Sequence, residues 1–305
     1  MPPGSLVVVG STNMDIGIRI PHLPKRGQTV VGSELTKNLG GKGANQAIAA
    51  ARAGAKVSFL TGLGNDDFAG ECKKLLKQEN IDLRFAVSFP EVPSGMAMIM
   101  LSEGGENMIA VAAGSNGHLQ PKHLHELTAV LKRSGVALTQ LEVPLAVVGC
   151  LAGLCRQVGA KLILNPAPCP PKGLSSDLLE KVNYLTPNRG EFAQLAGCDI
   201  LSDAGKRWVM RWLSKPGHDA LIVTMGKSGA VVWERGADKP KQIHGLKVNA
   251  VDTVGAGDCF NGYLAANLAQ GKSLLDACQI ANHAAAISVT RRGILTAIPT
   301  VAEVT

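Results

Sequence analysis

Residues 5–15 read SLVVVGSTNMD, a run of four apolar residues that leads through a glycine into a polar segment. Such a run, bounded by turn-forming residues, is typical of a strand that is buried on both faces. Asn13 and Asp15 then lie just past the carboxyl end of the strand. Open α/β sheets bind their ligands at that edge, although both residues are also ordinary turn formers.

Short apolar runs of the same kind recur along the chain and alternate with longer stretches of helical spacing. The runs are SLVVVG (5–10), KVSFLTG (56–62), VALTQ (136–140), AKLILN (160–165), VNYLTPN (182–188) and DALIVTMG (219–226). Strands that alternate with helices form parallel sheets, because the helices return the chain to the same edge. The pattern predicts an α/β fold: a doubly wound, mostly parallel sheet with helices on both faces.

Two segments depart from this alternation. Residues 16–36 and 95–112 alternate in period two around Gly and Pro turns, which is typical of antiparallel hairpins. We expect them to form a small β-sheet lid, over about residues 14–38 and 94–112, on a single domain that spans residues 1–305. An edge extension of the main sheet is the alternative.

Composition excludes several classes of protein. The chain has 305 residues, of which 46% are hydrophobic and 18% charged, as in a soluble globular protein. Its net charge of +7 is scattered rather than clustered with aromatics, so no nucleic-acid partner is expected. No apolar run approaches the roughly 18 residues of a membrane span. The seven cysteines form no Cys-x-x-Cys pair and predict reduced thiols in a cytoplasmic protein.

Residues 252–260, DTVGAGDCF, place an acid directly behind a glycine-rich turn that opens a helix. A helix N-terminus presents unpaired backbone N–H groups, and glycines let a ligand approach them. Gly255, Ala256 and Gly257 therefore suit a phosphate or a developing oxyanion, with Asp258 beside it. An acid in the first turn also stabilises an ordinary helix, so this segment alone does not distinguish an anion-binding site from an ordinary helix N-terminus.

A second loop of this kind is residues 38–46, NLGGKGANQ, which adds the cation of Lys42 and the amide of Asn45. Amides and carboxylates suit sugar hydroxyls, because a hydroxyl both donates and accepts hydrogen bonds.

Two better-known phosphate motifs are excluded. The GKS triplets at 226–228 and 271–273 lack the upstream glycine of a P-loop, since Leu221 and Ala266 occupy its position. The first strand is not followed by G-x-G-x-x-G, which excludes a nicotinamide-binding turn after Gly10.

Six motifs taken together carry a resemblance to a known family. In chain order they are GSTNMD (10–15), GGKGANQ (40–46), NPAP (165–168), TPNRGE (186–191), TMGKSG (224–229) and DTVGAGDCFNG (252–262). Over essentially its whole length the chain resembles the PfkB carbohydrate-kinase family, whose fold is called ribokinase-like. The resemblance implies ATP-dependent phosphorylation of D-ribose at O5, which gives D-ribose 5-phosphate and ADP.

The resemblance also implies a role for individual residues. Asp258 matches the catalytic base, and Gly255, Ala256 and Gly257 match the amides that stabilise the transferring phosphoryl group. Sugar-binding positions are Asn13, Met14, Asp15, Gly41, Lys42, Gly43, Ala44, Asn45 and Glu142, together with Asp258. Nucleotide-binding positions are Asn188, Thr224, Met225, Gly226, Lys227, Ser228, Gly229, Gly257 and Asn282.

Two ions are implied in addition to ATP. Mg²⁺ is expected near Glu191, through water. A monovalent cation, K⁺, is expected at Asp252, Val254, Ser288, Arg291, Gly293 and Ala297. Ala297 stands where the family often has Ser, which removes one possible ligand. The alternative for Asp252 is a salt bridge to Arg291 or Arg292.

Other functions stay open beside the phosphorylation of ribose. One is a kinase for another sugar or nucleoside of the same family, such as 2-deoxyribose or adenosine. Another is a non-catalytic sugar-binding protein, although Asp258, Asn188 and Glu191 are all present. The amide of Asn13 favours ribose, because it suits one more hydroxyl. The family also implies a homodimer that forms through the β lid.

Overall fold

The computed structural model of the protein describes residues 4–304. Its strands form one large sheet and two small ones. In chain order they are β1 (Ser5–Val9), β2 (Asn13–Ile20), β3 (Glu34–Gly40), β4 (Lys56–Leu60), β5 (Gly62–Leu63), β6 (Val87–Ser88), β7 (Gly95–Ser102), β8 (Asn107–Ala112), β9 (Val136–Thr139), β10 (Lys161–Leu164), β11 (Tyr184–Leu185), β12 (Ala220–Thr224), β13 (Gly229–Glu234) and β14 (Lys241–His244).

The large sheet has the order β14-β13-β12-β11-β10-β9-β1-β4. From β12 to β4 its neighbouring strands are parallel, and β13 and β14 add an antiparallel edge. All six apolar runs of the sequence contain strands of this sheet, so the predicted mostly parallel sheet is confirmed. The carboxyl ends of β1, β9, β10 and β11 consequently meet at one edge.

Both faces of the sheet are covered, as the continuous apolar runs predict. Along β1, Leu6 and Val8 pack into one hydrophobic core, while Val7 and Val9 pack into the other. All four side chains are fully buried, because successive side chains of a strand point to opposite faces.

Helices form the outer layers. They are α1 (Lys42–Arg52), α2 (Asp67–Gln78), α3 (Thr128–Ser134), α4 (Leu145–Val158), α5 (Ser176–Leu179), α6 (Arg189–Ala196), α7 (Asp203–Leu213), α8 (Ala256–Ala269), α9 (Leu274–Ser288) and α10 (Val301–Val304). The first core packs against α1, α2, α8, α9 and α10, and the second against α3 to α7. None of the helices within residues 4–304 has the length and apolar character needed to cross a bilayer.

The predicted small second sheet is confirmed. It has the order β3-β2-β7-β8 and is separate from the large sheet, which contradicts an edge extension. Both hairpins are antiparallel, and parallel pairing of β2 with β7 joins them. Residues 21–33 connect β2 to β3 without forming a strand.

Candidate active site

Helix α8 begins next to Asp258 without a side-chain cap. Its N-cap is Gly255, whose φ of 77° lies in the left-handed region that favours glycine. The first-turn N–H groups of a helix have no intrahelical partner. A Cβ at Gly257 would meet nothing within 4 Å, so this turn is open to a ligand. By contrast α2, α6, α7 and α9 are each capped by a side chain.

Close packing of α1 against α8 brings the two glycine-rich loops together. A Cβ at Gly262 would lie 2.5 Å from both the Cβ of Ala49 and the carbonyl oxygen of Gln46. Only glycine permits this approach, which places the first turns of the two helices side by side. Residues 38–46 and 252–260, more than 200 positions apart, therefore form one site, and Asp258 is only 6% exposed in it.

Amide groups of α1 bind both carboxylate oxygens of Asp258. Asn45 Nδ2 donates to Oδ2 at 3.0 Å, and Gln46 Nε2 donates to Oδ1 at 2.9 Å. Gln46 is itself held: its Oε1 accepts from Gln140 Nε2 at 2.7 Å, and its Nε2 also donates to Asn165 Oδ1 at 3.0 Å. The carboxylate of Asp258 is thus fixed in orientation beside the open turn of α8.

The sugar-binding candidates of strand β2 lie at the same edge. Asn13 and Asp15 are 4% and 9% exposed. A Cβ at Gly40 would lie 2.0 Å from Asp15 Oδ2, so glycine makes room for this carboxylate. Asp15 Oδ1 and Asn45 Oδ1 are buried without a hydrogen-bond partner in the described part of the chain. Buried acceptors are normally paired, and two unpaired ones suit the hydroxyl groups of a ligand.

Glu142 belongs to the same cluster. Its Oε2 accepts from Ser11 Oγ at 2.5 Å and from the backbone N–H of Lys42 at 2.9 Å. The carboxylate therefore satisfies the N-terminus of α1, which has no side-chain cap of its own at Gly41. Oε2 of Glu142 is thus used structurally, while Oε1 has no hydrogen bond to any residue between 4 and 304.

The charges of the site interact strongly. The carboxylates of Asp258, Glu142 and Glu191 raise the pKa of Lys42 against the opposing effect of burial. Burial, with Glu142 and Asp258 close by, raises the pKa of Asp15 to about 7. Lys42 therefore stays a charged cation, and the carboxylates that act on it include the sugar-binding candidate Glu142 as well as Glu191.

The remaining sugar-binding candidates have packing roles. The side chain of Met14 is fully buried in the core. A Cβ at Gly43 would lie 2.4 Å from the backbone nitrogen of Ser11, and a Cβ at Gly41 2.8 Å from that of Asn13. Ala44 is fully buried, and its N–H donates to the carbonyl of Ser11 at 2.8 Å. These residues hold the first turn of α1 against the strand that carries Asn13.

Asn188 and Glu191 form a capping box at the start of α6. Asn188 Oδ1 accepts from the N–H of Glu191, and Glu191 Oε2 from that of Asn188, each at 2.8 Å. Burial raises the pKa of Glu191, and Lys42 partly offsets this. The box leaves Asn188 Nδ2 and Glu191 Oε1 for other contacts, and Asn188 also bridges to Thr224.

The loop Thr224–Gly229 turns tightly between β12 and β13. Residues Gly226–Ser228 form a 3₁₀ turn, and the N–H of Met225 donates to the carbonyl of Gly229 at 2.8 Å. Lys227 and Ser228 are exposed. Asn282 of α9 donates through Nδ2 to the carbonyl of His244 at 2.9 Å, which ties α9 to the end of β14.

Asp252 joins two loops. Its Oδ1 accepts from the N–H of Val254 at 3.0 Å, and its Oδ2 from that of Gly293 at 3.3 Å. Arg291 instead pairs with Glu303 at 2.5 Å, and within residues 4–304 Asp252 has no ion pair. The alternative of an Asp252–Arg291 or Asp252–Arg292 salt bridge is therefore wrong. Ala297 is buried, and Ser288 Oγ donates to the carbonyl of Ala285.

Sequence reasoning missed the amides behind the predicted residues. Gln46, Gln140 and Asn165 orient Asp258, and Asn116 contacts Asn13. All four are at most 6% exposed. Gln46 directly follows the predicted Asn45, and a polar residue ahead of the apolar run AIAAA was the available signal. Asn165 is the first residue of the NPAP motif, whereas Gln140 and Asn116 have no local pattern, because their contacts arise from the fold.

Comparison with known proteins gives consistent results. Residues 4–301 match the family model described as pfkB family carbohydrate kinase. A ribokinase of Haemophilus influenzae is 37% identical, over 97% of this chain and 95% of that protein. A deoxyribokinase of Salmonella typhi is 33% identical, over 98% of this chain and 96% of that protein. The structure of Arabidopsis thaliana ribokinase complexed with ribose and ATP matches with a TM-score of 0.90 and 29% identity, over 100% of this chain and 98% of that one.

Proposed function

This chain belongs to the pfkB family of carbohydrate kinases, and we propose that it transfers the γ-phosphoryl group of ATP to O5 of D-ribose. The products are D-ribose 5-phosphate and ADP. One observation carries the proposal: Asp258 lies at the open first turn of α8, with unpaired buried acceptors of Asp15 and Asn45 in the same cluster. An acid, an anion site and hydroxyl-binding groups are what transfer to a sugar alcohol needs.

The sugar is held by side chains that accept hydrogen bonds and by side chains that donate them. Asp15 Oδ1 and Asn45 Oδ1 accept from its hydroxyl groups, and Glu142 and Asn13 bind further hydroxyls. These contacts orient the primary hydroxyl toward Asp258. Fixing the acceptor in this way removes much of the entropic cost of bringing two substrates together.

Asp258 acts as the general base. It takes the proton of the O5 hydroxyl as O5 forms a bond to the γ-phosphorus. The bond from that phosphorus to the β,γ-bridging oxygen breaks, and its electron pair leaves with ADP. The N–H groups at Gly255, Ala256 and Gly257 stabilise the charge on the transferring group, while Lys42 neutralises the phosphates.

The nucleotide lies along Asn188, the loop Thr224–Gly229, Gly257 and Asn282. Mg²⁺ on the phosphates would supply charge neutralisation, and Glu191 would hold it through water. Glu191 fits this role, because the capping box uses its Oε2 and leaves its Oε1 for the water. Magnesium commonly keeps several waters and takes few protein ligands.

A monovalent cation, K⁺, would be held by Asp252 with the backbone oxygens of Val254, Ser288, Arg291, Gly293 and Ala297. The site fits in charge, since the pairing of Arg291 with Glu303 leaves the Asp252 carboxylate without a counter-ion in the described chain. Carbonyl oxygens are hard ligands that suit such an ion. Ala297 contributes no hydroxyl but keeps its carbonyl.

Further proposals concern the whole protein. Residues 1–305 form one domain, and the sheet β3-β2-β7-β8 is a lid over the sugar. Two copies pair through these lids, whose exposed apolar side chains include Leu35, Met98, Ile109 and Val111. We place the protein in the cytoplasm, in keeping with its seven free cysteines.

The test is ADP release with a panel of acceptors: D-ribose, 2-deoxy-D-ribose, adenosine and other sugars. We expect the highest kcat/KM for D-ribose, with phosphorus NMR showing the product as a 5-phosphate. The deoxyribokinase relative makes 2-deoxyribose the second candidate, and a higher kcat/KM for that sugar would favour it. Release of no ADP above background with any acceptor, despite sugar binding, would favour a non-catalytic binding protein.

A further inference from the structure

Asn116 makes three hydrogen bonds to a strand far from it in sequence. It lies in the 3₁₀ turn Gly114–His118, just after the last strand of the small sheet, and is 1% exposed. Its Oδ1 accepts from the N–H of Thr12, and its Nδ2 donates to the carbonyl of Thr12 and to Oδ1 of Asn13, each at 2.9 Å. It therefore clamps the point where β2 begins.

The backbone partners determine how this amide is oriented. An N–H group can only donate and a carbonyl oxygen can only accept. Because Thr12 offers one of each, Asn116 must place its Oδ1 on the N–H and its Nδ2 on the carbonyl. The atom of Asn116 that faces Asn13 is therefore a donor, and Asn13 must turn its Oδ1 toward it.

A glycine of the lid makes this pairing possible. A Cβ at Gly95 would lie 2.2 Å from Asn116 Nδ2 and 2.3 Å from Asn13 Oδ1. The turn that carries Asn116 is itself packed tightly, since a Cβ at Gly62 would lie 2.4 Å from the carbonyl oxygen of Ser115. Two close approaches thus hold the pair of amides in one arrangement.

The consequence concerns what Asn13 offers to the sugar. With Oδ1 occupied, its Nδ2 makes no hydrogen bond to any residue between 4 and 304, so Asn13 presents donors only. We propose that Asn116 is a specificity-determining residue, which makes Asn13 require an acceptor oxygen at C2 of the sugar by holding its Oδ1. This rests on the proposed phosphorylation of ribose, and it assigns to Asn116 a part in rejecting 2-deoxyribose.

The rejection of 2-deoxyribose would come from a donor that the bound sugar buries without a partner. When 2-deoxyribose fills the site, the Nδ2 group of Asn13 loses water without gaining a partner. Sites built to bind a hydroxyl reject the analogue that lacks it more strongly than apolar sites reject an added group. Once Asn116 no longer holds Oδ1, Asn13 can turn its whole amide out of the sugar site, and this penalty falls.

The experiment compares kcat/KM for D-ribose and 2-deoxy-D-ribose in the wild type, Asn116→Leu and Asn116→Asp. Asn116→Asp keeps the shape and the acceptor for the N–H of Thr12 but places an acceptor against both the carbonyl of Thr12 and Asn13. We expect the preference for ribose to fall by about tenfold or more in Asn116→Leu, mainly through the KM of the sugar, with KM for ATP kept. Asn116→Asp should largely keep the preference, because Asn13 then turns its Oδ1 to the sugar and the hydroxyl at C2 donates to it. Thermal melting checks that each variant is folded.

Two further variants complete the design. Ser115→Ala is the matched control, since it removes a neighbouring buried hydroxyl that has no partner among residues 4–304 and should keep the wild-type preference. Asn13→Met should lower the preference, and adding Asn116→Leu to it should change nothing more.

Equal losses for the two sugars in Asn116→Leu would overturn the inference and leave a purely structural role. Calorimetric binding of each sugar without ATP separates this from failure of the proposed function. A wild type that binds neither sugar would overturn both. A wild type that prefers ribose, with an Asn116→Leu variant that prefers it equally, would overturn the inference alone.

Discussion

At the scale of single residues, Asp15 gives the site a dependence on pH. Its pKa of about 7 arises first from burial and then from Glu142 and Asp258. Sugar hydroxyls donate to the carboxylate and so favour its ionised form. We expect the affinity for D-ribose to rise from pH 6 to pH 8 and to level off above that.

The measurement is the calorimetric Kd of D-ribose between pH 5.5 and 8.5, without ATP. At pH 7 binding should also release protons, seen as a heat that depends on the buffer. Asp15→Asn should bind weakly with a flat profile. A wild-type affinity that is constant over this range would contradict the role of Asp15.

The same group affects the stability of the free protein with a defined sign. The pKa of Asp15 is higher in the folded state than its unfolded value of 3.8, so the folded protein holds this proton more tightly. The contribution of Asp15 to the free energy of unfolding is therefore full below about pH 4 and is lost as pH rises through about 7. Relative to Asp15→Asn, the Tm of the wild type without sugar should fall across that window.

Gln46 is a positioning residue, because it acts through Asp258. Gln46→Leu removes the donor to Asp258 Oδ1 and leaves Gln140 Nε2 without its partner. We expect kcat to fall about 10-fold to 100-fold, with KM for ATP unchanged, and stability to fall by about 1–3 kcal/mol.

Asn267→Leu is its control. Asn267 is a buried amide of α8 that donates to the carbonyl of Tyr263 at 2.7 Å, away from Asp258. This variant should lose similar stability, measured by urea unfolding, and keep kcat. If both variants kept wild-type turnover, Gln46 would have no part in catalysis.

At the scale of elements, the loops joined by Asp252 carry the proposed ion site. An uncompensated carboxylate near the anion site opposes ATP, so we expect K⁺ to activate on the order of tenfold, the effect of about 1.4 kcal/mol. Turnover is measured in a bulky-cation buffer and then with KCl or NaCl at matched ionic strength. Asp252→Asn should lose the response, and identical rates in all three buffers would refute the ion site.

The elements also show what the sequence could predict. Strands such as Leu6–Val9 follow from local apolar runs, and the starts of α1 and α8 from the glycine-rich loops that open them. Loops 38–46 and 252–260 are recognisable because phosphate and hydroxyl chemistry needs particular residues in short order. Parallel pairing of β2 with β7 was not predictable from the sequence. It joins two hairpins, and the pattern within each hairpin does not indicate a further strand partner.

The contacts of the buried amides could not be predicted from the local sequence either. Asn116 meets Thr12 across 104 positions, and Gln140 meets Gln46 across 94. Such contacts depend on how helices and strands pack, not on a pattern near either residue. Gly95 and Gly262 occur in the sequence at the points of close approach, but only the fold shows which atoms each glycine approaches.

At the scale of the whole molecule, the small sheet exposes apolar side chains on both faces. Met98 and Val111 are 56% and 57% exposed and lie on opposite faces, since Val111 pairs with Ala97. Contiguous exposed apolar surface favours association. We expect a dimer by light scattering and a monomer for the double variant Met98→Lys with Val111→Lys.

Leu201→Lys is the control, because Leu201 is 56% exposed but lies outside the small sheet. It should remain dimeric. A wild type that is monomeric at micromolar concentration would contradict pairing through the lid.

The fold brings distant segments together around Asp258, which we propose as the general base. The most direct test is the single-turnover and steady-state rate of Asp258→Asn with D-ribose and ATP. Its control is Asp276→Asn, which changes an exposed first-turn acid of the neighbouring helix α9. We predict that Asp258→Asn keeps its fold and much of its ribose binding while kcat falls by roughly 10²-fold to 10⁴-fold, and that Asp276→Asn matches the wild type. Near wild-type turnover in folded Asp258→Asn would contradict the account.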